Sequence, residues 1–576
     1  MPFTGVRQSA IGCKNFLAVN INRSKVNLEI IIMTSECGRD DLTLRSCIQG
    51  LFEKVTGVKS QSTYNLPHNI IMDKLPVEML LGIFELVSYK DLKNVVLVCR
   101  RWREIGETPR FWSSFPAKVK TRNMSVMSEM LSSRRMKQLK KLTIESTLSE
   151  EVSHTIMNHP VLREFKLSEE EEPQTIISVL NVICSRGYKG TVLDMSENDM
   201  FDIDPELLAK VVTKLQKLEI NCTELTLQQA AAIFTAVSEE STMIELDISD
   251  NDLSGVDPEL LAKAVNNLTT LYIENTNLTL QQTEAILTAV SEGSKMIKLN
   301  IVENNMSGVD PGLLAKAVAN LETLDIGRTE LTQQQATAIL SGISKGTKLT
   351  KLNISLNNLS GVDSELLAKA VANLETLDIG STERTECGAT KILSGVSKGS
   401  EVTQLNMSWN NLYVGDRGLL VKAVTNLESL DVIVTELITQ QAAAILYSVS
   451  DGSKLTKLNI TGNLTQQQAV ALSTAISVGC KLCRLFIGGN NLSAVAPGLL
   501  AKVVSNLESL SVGHTKLTQQ QAAAILTAVL EGSKLTSFII WGNNNLTEVD
   551  PELLAKGVKK LLNLLTAISP LHRNTS

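Results

Sequence analysis

Residues 243–295, MIELDISDNDLSGVDPELLAKAVNNLTTLYIENTNLTLQQTEAILTAVSEGSK, are one turn of a 53-residue pattern that runs through most of the chain. The stretch is two half-units. Each opens with LxxLxI or a close variant (Met243, Leu246, Ile248; then Leu268, Leu271, Ile273), where apolar residues alternate as a short strand requires. The first half continues through Asn251 to Asp257-Pro258, a helix cap followed by a first-turn proline. The second continues through Thr276 to Thr279 and Gln282, the spacing of a capping box. PELLAKAV and AILTAV then supply small, apolar, strongly helical faces.

Working outward, the first position of the pattern falls at 139, 162, 190, 215, 243, 268, 296, 321, 349, 374, 402, 427, 455, 482, 507 and 535, which is 16 starts, with a degenerate cap at Leu562. From 190 to 427 the spacing alternates strictly between 25 and 28. Asn251, Asn304, Asn357 and Asn410 mark one half-unit; Thr223, Thr276, Thr329, Thr382 and Thr435 mark the other. The register breaks between Gln441 and Gln467, where two Thr/Gln-type helices follow each other, and Arg384 in STERTEC (381–387) replaces the Leu of its siblings. These are read as binding features or as drift in a long array. LxxLxIxxNxL resembles the leucine-rich repeat, and the alternation of two helical repeats is similar to the ribonuclease-inhibitor type with somewhat shorter units. The resemblance implies an α/β leucine-rich-repeat horseshoe over 139–576, parallel strands inside and helices outside, in which each turn contacts its neighbours.

Upstream, Leu75 to Trp112 reads LPVEMLLGIFELVSYKDLKNVVLVCRRWREIGETPRFW. Pro76 suits the first turn of a helix, Met79, Ile83, Phe84 and Val87 share one face, and Leu92, Val95, Cys99 and Trp102 continue a helical stripe. A segment this short carries more apolar side chains than it can hide alone. The order LPxE, IF, DL, VCRRW and a closing FW resembles the F-box, here 70–116. That family is a three-helix module that docks a protein onto the Skp-type adaptor of SCF (cullin–RING) ubiquitin ligases. The resemblance places Leu75, Pro76, Glu78, Ile83, Phe84, Leu92, Val98 and Trp102 at the adaptor interface, with a cullin scaffold reached through the adaptor. The plainer alternative is a helical hairpin packed within its own chain. Residues 1–66 are expected to be largely disordered, with a marginal amphipathic helix over 44–55, and 117–138 to be a basic linker (Lys118, Lys120, Arg122, Arg134, Arg135, Lys137).

Across 576 residues the net charge is −6, too mild to argue for nucleic acid, and 43% of residues are hydrophobic. Nine scattered cysteines do not form a disulfide framework, and no apolar run is long enough to span a membrane. The expectation is a cytoplasmic or nuclear protein. Its N-x-[ST] triplets arise from the repeat motif itself. Phosphate loops, zinc spacings and nucleophile elbows are missing from the sequence, Cys480 and Cys483 form a lone C-x-x-C, and the five histidines are dispersed. No catalytic residue, metal or cofactor is expected.

The residue between Leu and Ile of LxxLxI points away from the core and forms a lane: Asp194, Glu219, Asp247, Tyr272, Asn300, Asp325, Asn353, Asp378, Asn406, Asp431, Asn459, Phe486, Ser511, Ile539. Its acidic part is read either as a solvated face or as a site for a basic segment of a target. Its apolar end, with Trp409, Phe486 and Trp541, is the candidate anchor region. Two functions follow. One is the substrate-recognition subunit of an SCF E3 ubiquitin ligase in a degradation pathway, with Asp247, Asp325, Asp378 and Asp431 steering an unidentified target protein. The other is a non-catalytic, ribonuclease-inhibitor-like interaction scaffold unrelated to ubiquitin.

Overall fold

The computed structural model describes residues 15–21, 28–34, 77–85, 92–93, 95–97, 100–186, 190–239, 241–382, 386–398, 400–410, 416–433, 439–450, 453–540, 542–543 and 549–557. They divide into two compact units, Met1–Lys166 and Leu167–Ser576.

In the first unit, Asn15–Ile21 and Leu28–Thr34 pair as an antiparallel ribbon from Asn15↔Thr34 to Ile21↔Leu28. This differs from the expected disorder of 1–66: Val19, Ile21 and Ile30 to Ile32 are β-branched residues that suit strands. The expected helix over 44–55 lies outside the described residues. Two α-helices, Val77–Glu85 and Arg100–Gly106, and the 3₁₀ turn Pro109–Trp112 follow. Leu80, Phe84, Leu92, Trp102 and Trp112 are buried together. Phe84 meets Trp102 edge-on with centroids 5.3 Å apart, and Trp112 Nε1 donates to the Gly106 carbonyl at 2.7 Å. Gly106 is required by this packing, since a Cβ there would stand 2.6 Å from Val96 Cγ1.

The expected basic linker is structured. Ala117–Val119 is a strand that pairs in parallel with Lys141–Ile144, and Met124–Ser132 is a helix with Met127 and Leu131 buried. The basic side chains hid this pattern: Ala117 and Val119 point inward on either side of exposed Lys118, a period of two. Lys118 and Lys120 both engage Glu145, and the Arg135 guanidinium lies 5.3 Å over the Trp112 ring. These three charges therefore serve packing within the unit.

In the second unit every strand from Thr191–Asp194 to Ser537–Ile539 pairs in parallel with its sequence neighbours. This is a leucine-rich-repeat solenoid. A strand begins within two residues of each of the 16 starts read from the sequence. The central leucines stand in register, Leu246↔Leu271 and Leu271↔Leu299 onward to Leu485↔Leu510, nearly excluded from solvent. The return legs are helices capped as expected: Asp257 accepts from Glu259 N before Pro258–Val265, and Thr279 with Gln282 closes a capping box on Leu280–Ser291.

Side-chain amides tie each turn to the next. Asn304 Nδ2 donates to the carbonyls of Ile273 (2.8 Å), Val302 (3.1 Å) and Ile301 (3.3 Å). Its Oδ1 accepts from Leu278 N (3.0 Å) and from Thr276 N and Oγ1 (3.2 Å each). The Asn of one half-unit thus needs the Thr of the half before it, which accounts for their alternation. Gln282 does similar work at the helix starts: Oε1 accepts from Thr279 N, while Nε2 donates to the Leu253 and Val256 carbonyls of the preceding turn at 2.7 and 2.6 Å. At the irregular turn the sheet runs on, Ser429↔Lys457 and Lys457↔Arg484, and Leu464 N donates to Asn490 Oδ1 at 2.7 Å where two Asn-type turns abut.

Replacing Asn304 by Leu is expected to lower local stability by about 3 kcal/mol or more, because several buried donors and carbonyls lose their partner at once. In hydrogen exchange the amides of Thr276 and Leu278 should lose protection first. Wild-type protection there would contradict the bridging role.

Candidate protein-interaction site

Two surfaces carry the residues singled out by the sequence. In the F-box-like segment, Phe84, Leu92 and Trp102 are 2%, 1% and 6% exposed, so they face the segment's own core and offer no surface in this arrangement. Periodicity marks an apolar face without telling which side of a thin module it covers. Glu78 is exposed, Ile83 lies in the helix Val77–Glu85, and Leu75, Pro76 and Val98 fall outside the described residues. Among the described residues the large exposed apolar side chains here are Val77 and Leu97, the latter 69% exposed. Neither was singled out; the signal available was Leu97 lying one residue beyond buried Val96 in VVLV.

On the repeats, the strands place the lane in continuous register: Asp325↔Asn353, Asn353↔Asp378, Asp378↔Asn406, Asn406↔Asp431. From Asp325 to Asp431 successive carboxylates are two strands apart, about 10 Å, which is near the screening length of a physiological salt solution. Repulsion along this part of the lane is therefore smaller than a string of acids suggests, whereas Asp194, Glu219 and Asp247 stand on adjacent strands. Each acid or amide also has a local role. Asp325 Oδ1 accepts from Gly327 N (3.3 Å), Asp378 Oδ1 from Gly380 N (2.9 Å), and Asn353 Oδ1 from Ser355 N (2.9 Å). These are Asx turns that close the strand ends, available to Asp and Asn because of their short side chains. Asn406 Nδ2 donates to Asp378 Oδ2 at 2.9 Å, and Lys457 Nζ lies 2.9 Å from Asp431 Oδ2.

Burial pushes the Asp325 carboxyl up to about 6, against hydrogen bonds from Asn353 and Gly327 and with the help of the Glu274 and Asp378 charges. Burial likewise raises Asp247 and Asp378 above the ordinary carboxylate range. A second column, two residues earlier on each strand, is exposed at Lys298, Lys351, Gln404 and Arg484, three of the four basic. The lane considered alone concealed it, because this column alternates Lys with Thr and Ser. At the apolar end, Phe486 is partly buried with Lys457 Nζ 5.9 Å from its ring centroid, and Ser511 stands in register between Phe486 and exposed Ile539. Trp409 is 59% exposed just past its strand, and Trp541 lies outside the described residues. Among the described residues no group of His, Cys, Asp or Glu is arranged to hold a metal ion, and no helix is long and apolar enough to cross a membrane.

Residues 72–115 match the F-box-like family, and residues 242–264 match the Leucine Rich Repeat family. The chain joins an F-box-like segment to leucine-rich repeats. It is similar to NACHT, LRR and PYD domains-containing protein 3 of Bos taurus, 23% identical over 48% of this chain and 29% of that protein. It is also similar to Ribonuclease inhibitor of Mus musculus, 24% identical over 40% of this chain and 55% of the inhibitor. The chain thus spans less than two thirds of the length of each of these relatives.

The raised Asp325 carboxyl sets a pH dependence. The folded state holds its proton more tightly than the unfolded chain, so this group weakens the fold as pH rises from the ordinary carboxylate range through about 6, and adds nothing further above that. Asp325→Asn keeps the amide geometry already present at Asn353. It should be more stable than wild type at pH 7, by on the order of 1–3 kcal/mol, with the gap closing toward pH 4. Thermal melts at both pH values check this; a gap that widens on acidification would contradict it.

Proposed function

We propose that the chain is the substrate-recognition subunit of an SCF (cullin–RING) E3 ubiquitin ligase. The F-box-like segment holds a Skp-type adaptor and, through it, a cullin scaffold; the repeats hold the protein to be degraded. The observation that carries this reading is the match at 72–115 placed ahead of a repeat array. Support comes from the segment itself, whose core is filled while Val77 and Leu97 remain exposed, as expected of a module covered by a partner. The chain is non-catalytic on this reading. Ubiquitin chemistry belongs to the recruited enzymes, and the chain contributes proximity, which by itself is a large rate effect. It acts in the cytoplasm or nucleus. The target docks on the strand face toward its C-terminal third, with Trp409, Phe486 and Trp541 as anchors and Asp247, Asp325, Asp378 and Asp431 steering basic segments.

Deleting 70–116, or replacing Leu75 and Pro76 by Ala, should abolish co-purification with a Skp-type adaptor and leave the circular dichroism of the repeats unchanged. Phe486→Ala should weaken target capture without loosening the adaptor. Undiminished adaptor binding in the deletion would refute the ligase reading and favour the ribonuclease-inhibitor-like scaffold, to which the resemblance in the repeats also points.

A further inference from the structure

Just past most of the described strands the chain turns through one or two residues of left-handed backbone, and the first of these form a column along the C-terminal edge of the sheet. Glu197, Asp250, Glu303, Leu356 and Trp409 recur in it every 53 residues, with φ of 60°, 56°, 58°, 56° and 59°. Backbone bonds fix the column in place: Asp250 N donates to Glu274 O, Glu303 N to Gly327 O, Leu356 N to Gly380 O and Trp409 N to Ile433 O, at 2.8 to 3.1 Å. Left-handed backbone suits Gly, Asn and Asp and is costly for bulky side chains. The array itself shows the unstrained choice, since Gly462, Gly489 and Gly542 take this place further along. Leu356 and Trp409 nevertheless occupy it, and their side chains are 56% and 59% exposed. They gain no burial in exchange for the unfavourable backbone.

The chemistry of the column changes along its length. It is apolar at Leu356 and Trp409. At Glu303 the charge is met by Arg328, 2.6 Å away. At Asp250 and Glu197 it is acidic. Cys222, the left-handed residue between those two, reports the local field: burial first, then the charge of Asp250 and that of Glu197, push its thiol up to about 11.

We propose that this edge is a docking site for an amphipathic helical segment of a partner protein, apolar at the end facing Trp409 and Leu356 and basic at the end facing Asp250 and Glu197. Positions 53 residues apart lie two strands apart, about 10 Å. Seven residues of an α-helix rise about 10.5 Å and return to the same face. Three residues of an extended strand cover a similar distance but turn to the opposite face. Charge complementarity fixes the basic end, and the apolar pair fixes the other. The inference rests on the reading that the repeats hold a target, and it names the class of segment held.

The test uses the full chain and a labelled synthetic 31-residue helical peptide. The peptide has leucine at its second and ninth positions and lysine at its twenty-third, twenty-seventh and thirtieth. Leu356→Asn and Trp409→Asn should each weaken binding roughly tenfold, the loss expected when an apolar contact disappears. Both changes should leave the melting temperature unchanged or raised, because Asn accepts left-handed backbone. Asp250→Asn with Glu197→Gln should weaken binding and flatten its salt dependence. Bound peptide should slow alkylation of Cys222. Equal binding by a peptide with its leucines three apart overturns the helical geometry. Binding indifferent to both Asn changes, or a lowered melting temperature in them, overturns the site. Deleting 70–116 should leave peptide binding intact, so failure of the ligase reading is distinguishable from failure of this one.

Discussion

The structure depends on one buried amide per double turn. A parallel strand of three residues cannot satisfy the backbone of the loop that follows it, and that loop is buried against the next turn. Asn251, Asn304, Asn357 and Asn410 are each at most 4% exposed, and each donates to carbonyls of its own turn and the one before while accepting from the preceding Thr. Placing any other side chain there leaves several buried groups unpaired, at a cost far above that of a surface change. The other periodic features follow from it. Thr alternates with Asn because the hydroxyl supplies the donor that the amide oxygen accepts. The 53-residue unit, rather than a single half, is therefore the chemical repeat.

The same logic explains how the array absorbs its irregular turn. Between Gln441 and Gln467 an Asn-type strand is followed by a Thr/Gln-type helix, Gln466–Val478, capped by Thr465. Asn463 and Asn490 then stand in successive turns without a Thr between them, and Asn490 bonds directly to Leu464 N. Both strand register and core leucines are preserved, since each turn makes its contacts only with its neighbours. Long solenoids tolerate such a local exchange where a globular core would not.

Much of this was legible in the residues. Strand positions, the two cap types and the inward leucines all follow from periodicity, because both period and capping chemistry are local. What was not legible depended on neighbours in space. Asp325 and Asp378 read as a charged lane, yet their oxygens close Asx turns and receive an amide from the adjacent strand. The basic column at Lys298, Lys351 and Arg484 is diluted by Thr and Ser in alternate turns and emerges only when strands align. Ala117 and Val119 were hidden among lysines. In the F-box-like segment, helical spacing marked Phe84, Leu92 and Trp102 as an apolar face but could not say that the face turns inward.

The central claim is that the 53-residue double turn is the unit of structure, joined to its neighbours by the Asn and Thr side chains. Its most direct measurement compares two deletions within the full chain by circular dichroism and thermal unfolding. Removing 268–320 takes out one whole unit and rejoins Asn267 to Leu321 in phase; the protein should keep its secondary structure and melt cooperatively close to wild type. Removing 268–287 takes out the strand Thr270–Tyr272, Thr276 and the start of the helix Leu280–Ser291, leaving a remnant of the return helix without its strand and Asn304 without its Thr partner; the repeats on either side should lose structure. Equal behaviour of the two deletions, whether both folded or both unfolded, would contradict the account.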